Sequence, residues 1–284
     1  MRNHGLFLLP KVNIETTGNT TPGTIVTGAR GFLGSHLTAR LDTFRSIPYE
    51  EIDASGFWPF ERLFFLSTYG NLAHHTDDAA VVKANVTDIC RVLSHIDFSE
   101  GYDSFKSLVY VSSSSVKLPV QTLYSRTKNA AEQVLLAHAE KYNAPITIIR
   151  PFSITGVGEQ SIHLIPTLIR ACMTGETINL VPEATHDFID VEDVVDGILA
   201  LSKNRQRGIF ELGTGKSYTN QEVLEIVEKA TGKKTKVNYV KNMRPYDNPE
   251  WFSVNYKARS YGWYPKKTLK DSVSEMVKAY KNVK

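Results

Sequence analysis

The chain has 284 residues, a formal net charge of +3, two cysteines, and 42% hydrophobic against 22% charged residues. That length can bury a large core in one or two domains, and the composition is that of a globular protein rather than a disordered, collagenous or disulfide-rich one. No run approaches the roughly 18 apolar residues of a membrane span, and the Gly5–Pro10 stretch is too short for a signal-peptide core and runs straight into Lys11; a cytoplasmic protein with no membrane partner is expected.

Residues 1–22 match no pattern and read as an N-terminal arm, in which Leu6–Leu9 would supply an added strand. Thr20–Gly23 reads as a loop. The β-branched run Thr24–Thr27 predicts a strand, and Ser35–Leu41 an amphipathic helix after it. Strands are predicted at Ile47–Asp53, Leu63–Ser67, Leu108–Ser112 and Ile146–Arg150, with helices around Ala79–Ile96 and Thr127–Tyr142. Strands alternating with helices imply a parallel sheet with right-handed crossovers. The stretch from Asp53 to Leu63 is short, so that any further strand–helix unit there is either lost or severely trimmed. The second half mixes helices (Pro166–Thr174, Glu192–Leu201, Asn220–Thr231) with a short strand, Ile178–Val181.

Gly28, Gly31 and Gly34 stand between the first strand and its helix. Glycines there permit a tight turn, close approach of the backbone to a pyrophosphate, and close helix–strand packing. The pyrophosphate would meet free N–H groups at the helix start. Arg30, Phe32 and Leu33 lie in the same turn, and Leu66 and Ser67 end the apolar strand expected beside it. Asp53 follows Gly34 by 19 positions, close to the ~20-residue offset of an acid that binds a ribose 2′-hydroxyl. That spacing favours NAD. Arg30 would suit the 2′-phosphate of NADP, and NADP is not excluded.

Tyr124 and Lys128 stand four apart on a predicted helix and share a face. An ammonium beside a phenol favours the phenolate and lowers its pKa. The serine run Ser112–Ser115 closes the strand just upstream. A hydroxyl from it would bond the substrate oxygen that exchanges the proton, while a nicotinamide carries the hydride.

Taken together, TGARGFLG, LVYVSSSSV, YSRTK, RPFSITGVGE, HDFIDVEDVVDGIL and FELGTG, in that order, resemble the extended short-chain dehydrogenase/reductase family in its NAD-dependent epimerase/dehydratase branch. The resemblance implies an α/β Rossmann fold, a doubly wound parallel sheet here one strand–helix unit short, with a smaller C-terminal α/β substrate part. It divides the chain into a dinucleotide-binding domain at 23–155 and a mainly substrate-binding one at 156–284, with 186–215 partly returning to the first. It makes Ser113, Tyr124 and Lys128 the catalytic set, with Tyr124 and Lys128 also touching cofactor. It puts a nucleotide-diphosphate sugar against Ser114, Ser153, His186 and Arg244. Ser153 stands where many members carry asparagine, and His186 where they carry arginine. Ser113 is followed by Ser114 and Ser115 rather than the Asp-Glu pair of the sugar dehydratases, which disfavours dehydration. Epimerisation or 4-keto reduction remains, by a homodimer formed through the helices near Ala79 and Thr127. The other readings are a dehydrogenase of this fold acting on a different carbonyl or alcohol, and a non-catalytic dinucleotide sensor. Only 11 positions separate Ser113 from Tyr124, fewer than in typical members, so the loop over the sugar is cut down.

Cys90 and Cys172 lie in apolar helical patterns and are expected as buried free thiols. No metal site is expected; His74–His75 reads as an exposed loop pair. From Lys229 to Lys284 there are 14 Lys/Arg against 4 Asp/Glu. That is a solvated basic surface, part of it suited to attracting a diphosphate. No nucleic-acid module accompanies it.

Overall fold

The computed structural model describes residues 23–47, 60–72, 74–96, 105–241 and 251–282. The N-terminal arm, Asp53 and Arg244 lie outside the described residues.

In chain order, β1 (Thr24–Thr27), α1 (Phe32–Thr38), β2 (Arg45–Ile47) and β3 (Arg62–Phe65) come first. Then come α2 (Asp78–Val82), a π turn (Lys83–Thr87), α3 (Asp88–His95), β4 (Ser107–Val111), α4 (Leu123–Tyr142) and β5 (Ile146–Pro151). The second half holds β6 (Ser153–Thr155), α5 (Leu164–Thr174), β7 (Thr177–Leu180), β8 (Thr185–Asp190), α6 (Val191–Ser202) and β9 (Gly208–Leu212). It ends with β10 (Ser217–Thr219), α7 (Asn220–Thr231), β11 (Lys236–Tyr239), α8 (Tyr256–Ser260) and α9 (Leu269–Asn282).

Six strands form one sheet in the order β2-β1-β3-β4-β5-β9, every pairing parallel. A parallel sheet covered on both faces reads as unbroken apolar runs, and alternate residues go to opposite sides. Leu63, Phe65, Leu108, Tyr110, Ile146 and Ile148 face one cluster with α3 and α4. Val26, Phe64, Val109 and Ile149 face another with α1 and α6. The chain adds β2 to one side of β1 and then crosses to the other side as β3. That reversal is a topological switch point, where such sheets open a crevice at the carboxyl ends of their strands.

The remaining strands form a mixed sheet, β10-β8-β6, and a parallel pair, β11-β7. A third cluster gathers Ile165, Leu168 and Ile169 of α5, Val223 and Val227 of α7 and Val273 and Met276 of α9. β9 and α6 return to the large sheet. One buried carboxylate ties these parts together. Asp187 on β8 accepts from Thr214 N and Oγ1, Gly215 N, and Ser253 N and Oγ at 2.6–2.9 Å.

Several boundaries differ from the sequence reading. The helix expected from Thr127 begins at Leu123, because Thr122 caps it by accepting from Ser125 N; Tyr124 is therefore inside its first turn. The helix expected over 79–96 is interrupted by the π turn. The strand expected at Ile47–Asp53 is described only as Arg45–Ile47, and 48–59 lie outside the described residues. Cys172 is buried and Cys90 only half-buried; both are free thiols. Among the described residues no helix is long and apolar enough to cross a membrane.

Candidate active site

A cleft of about 1240 Å³ opens at the switch point. Gly28, Gly31, Phe32, Leu33 and Gly34 line it from the first turn, and Leu66 and Ser67 from the end of β3. Gly28 has φ +69, which glycine adopts without strain, and a Cβ at Gly34 would collide with the Gly28 carbonyl and lie 2.8 Å from its carbon. A Cβ at Gly31 would meet only Gly28 O, at 3.3 Å, and would otherwise take up room in the cleft. This cradle fits a dinucleotide pyrophosphate brought close to backbone. Thr27, buried at the end of β1, accepts from Leu66 N at 3.1 Å and Ser67 N at 3.2 Å through its hydroxyl. It latches the two strands whose ends form the cradle. Arg30 is exposed and is not among the residues lining the cleft.

Ser113, Tyr124 and Lys128 line the same cleft. Lys128 is 1% exposed. Its ammonium donates to Val111 O at 2.6 Å and sits 4.4 Å from the centre of the Tyr110 ring. Burial, opposed by the nearby Glu132 carboxylate, lowers its pKa to about 7. Tyr124 is half-buried. Burial pushes its phenol above the ordinary value, against the hydroxyls of Thr68 and Ser113, which bond it and favour the phenolate. The expected downward pull of Lys128 on Tyr124 is thus not what the structure shows. The ammonium is turned to a strand carbonyl and a second ring, and hydroxyls do the lowering instead. Ser113 Oγ also accepts from Ser115 N at 3.1 Å, capping a short 3₁₀ turn over 114–117. Ser114 is buried and lines the cleft, while Ser112 Oγ is buried without a partner.

The far half of the cleft is built from β6, β8, the 157–163 loop and Trp251. Ser153 Oγ and His186 Nδ1 are 3.4 Å apart, and the His186 and Trp251 rings have centroids 5.5 Å apart. Ser153 and His186 are therefore brought together on one wall. The segment between Ser113 and Tyr124 forms the rim through Leu118, Val120 and Thr122, with Val120 47% exposed.

Three contributors were not anticipated. Asn85, fully buried in the π turn, accepts from Thr68 Oγ1 and Tyr69 N and donates to Tyr69 O and Thr127 Oγ1, at 2.8–3.2 Å. It fixes the Thr68 hydroxyl that bonds Tyr124. No motif spacing announces it. His75 is not a plain surface residue: it stacks on Tyr69 at 4.0 Å, accepts from Gly70 N at 3.0 Å and lines the cleft. His163 also lines the cleft, held by Glu159.

Residues 67–213 match the NAD dependent epimerase/dehydratase family. The chain belongs to that family, whose members work on nucleotide sugars with a nicotinamide dinucleotide. UDP-glucuronate 4-epimerase 4 of Arabidopsis thaliana is 23% identical, over 96% of this chain and 78% of that protein. MoeE5 in complex with UDP-glucose and NAD superimposes with a TM-score of 0.81 at 24% identity, covering 92% of this chain and 99% of that one. UDP-glucuronic acid 4-epimerase from Bacillus cereus, in complex with UDP-glucuronic acid and NAD, gives 0.80 at 19%, covering 93% and 100%. Both structural likenesses speak to the fold.

Proposed function

We propose that the protein is a nucleotide-sugar 4-epimerase or 4-ketoreductase. The observation that carries this reading is the single cleft in which Ser113, Tyr124 and Lys128 face the glycine turn. A bound nicotinamide supplies the hydride chemistry. Tyr124 takes the proton from the sugar hydroxyl as its phenolate, or as the phenol returns it to the carbonyl oxygen. Ser113 holds that oxygen by a hydrogen bond. Lys128 orients the nicotinamide ribose by a hydrogen bond from its ammonium. The Ser114–Ser115 pair offers no acid to expel water. NAD is the cofactor of this reading, on the spacing of Asp53 and on the exposure of Arg30 outside the cleft. Residues 23–155 form the dinucleotide part and 156–284 mainly the substrate part, with 186–215 shared. The protein is a homodimer through α2–α3 and α4, where Val82 and Leu123 are exposed.

A second reading is favoured by the short rim between Ser113 and Tyr124 and by His186 in place of arginine: oxidoreduction of a different carbonyl on the same Tyr–Lys pair. Identification of the nucleotides that copurify, followed by turnover assays of NADH and NADPH on 4-keto sugar nucleotides, separates the two. Tyr124→Phe is expected to lower kcat by about 10²–10⁴-fold with NADH affinity retained. Full turnover by that variant would remove Tyr124 from the chemistry.

A further inference from the structure

Behind the proton-transfer site lies a buried ion pair that the reaction above does not use. Glu132 stands four residues after Lys128 on α4, on the same helix face, and is 0% exposed. Arg150, which opens the RPFSITGVGE segment, reaches it from β5. Its Nε donates to Glu132 Oε1 at 2.9 Å and to Oε2 at 3.2 Å, and its Nη2 donates to Oε2 at 2.5 Å. Both carboxylate oxygens are therefore taken by one planar fork.

Lys128 is a second cation beside this carboxylate. Its ammonium lies 4.4 Å from the centre of the Tyr110 ring. Burial first, then the charges of Tyr124 and Glu132, push the Tyr110 phenol well above its ordinary value, so Glu132 borders the same ring. An ammonium has three protons to give. Among the described residues Val111 O is the single hydrogen-bond acceptor of Lys128 Nζ. Two N–H groups are left over at a residue that lines the cleft. With an oxygen of Glu132 open, the carboxylate one helical turn away would compete for this ammonium in a site closed to water, where opposite charges attract far more strongly than at a surface.

We propose that Arg150 is a positioning residue of the proton-transfer site: by holding both oxygens of Glu132 it keeps that carboxylate from drawing the Lys128 ammonium off the cleft, and so leaves the ammonium for the nicotinamide ribose. This rests on the role given to Lys128 above. Arg150 is not among the residues that line the cleft; it acts through Glu132 and Lys128.

The test is a cycle of NADH affinities, measured by fluorescence on the full chain at about pH 6, where Lys128 is charged. In the wild-type background Arg150→Met is expected to weaken NADH binding about tenfold, the size of one hydrogen bond to a charged group. In a Lys128→Met background, which has no ammonium to lose, the same change is expected to cost less than about twofold. A purely structural pair would cost the same in both backgrounds, and equal costs overturn the proposal. Arg150→Met/Glu132→Met removes the competing carboxylate together with its partner and is expected to bind within about twofold of wild type. A double variant as weak as Arg150→Met also overturns the proposal. Melting curves identify the folded variants. Where Arg150→Met does not fold, Arg150→Lys carries the cycle: it keeps a charge but frees one Glu132 oxygen, and is expected to cost about threefold in the wild-type background alone; no cost there overturns the proposal. A wild type that binds neither NADH nor NADPH removes the dinucleotide reading itself. A Lys128→Met protein that binds NADH as tightly as the wild type removes the role of Lys128, and that of Arg150 with it.

Discussion

Two glycines three positions apart should fail in different ways when each becomes alanine. At Gly34 the new methyl would clash with the Gly28 carbonyl oxygen and lie 2.8 Å from Gly28 C and 2.9 Å from Ala29 Cα. These are backbone atoms, so relief requires α1 to move off β1. Overpacking of that kind costs about 1–3 kcal/mol, and each kcal/mol lowers Tm by about 2–4 °C in a domain of this size. At Gly31 the backbone is already extended, with φ −74 and ψ 172, and the only close atom is Gly28 O at 3.3 Å. Stability there should hold or rise by roughly 0.4–1 kcal/mol as the unfolded chain loses freedom. The methyl instead occupies cleft space where a pyrophosphate would approach. NADH titration by fluorescence, with melting curves on the same samples, is the assay. Gly34→Ala should melt lower and bind poorly; Gly31→Ala should melt normally and lose at least about tenfold in NADH affinity. A Gly31→Ala protein that binds NADH as tightly as the wild type would show that the turn does not cradle the cofactor.

Lys128→Met should stabilise the protein by ~1–3 kcal/mol near pH 7 while abolishing turnover, because it removes a buried ammonium; a lower Tm would refute this. The pH dependence has a definite sign. Above the folded-state pKa of about 7 and below the ordinary lysine value, the unfolded chain holds the extra proton. Wild-type stability should therefore rise with pH from about 7 to about 9, and urea melts of Lys128→Met should lack that slope. Asp187→Asn turns an amide donor toward hydroxyl and N–H donors; the urea midpoint should fall by an equivalent of about 3 kcal/mol or more, and a change below about 0.5 kcal/mol would show that the carboxylate is not the clasp described.

Long apolar runs and glycine spacing made the sheet and the cofactor turn readable, because Leu63–Phe65 and Leu108–Val111 are buried on both faces. Among the described residues the large sheet has six strands. Strands of three residues, such as β6 and β10, are too short for any period to register, and they carry or oppose Ser153 and His186. The spacing of Tyr124 and Lys128 reported a shared helix face but not where the lysine's flexible stem would end. Tertiary packing turns it to Val111 O, so the direction of the Tyr124 shift was illegible. Asn85 was hidden for a different reason: its position depends on a break in helical register that local sequence does not mark.

That break constrains how the chain can change length. A π turn accommodates one residue more than the α-helix it interrupts, and each residue of an α-helix turns the chain by about 100°. Deleting one residue within 83–87 would let α2 and α3 fuse into a single regular helix, and Asn85 and the face of α3 could not both keep their present directions. Either Ile89 and Val92 leave the core, or the amide that holds Thr68 beside Tyr124 swings away. This part of the polypeptide can therefore tolerate substitution far better than shortening, although it forms no part of the glycine turn or of the Tyr–Lys motif.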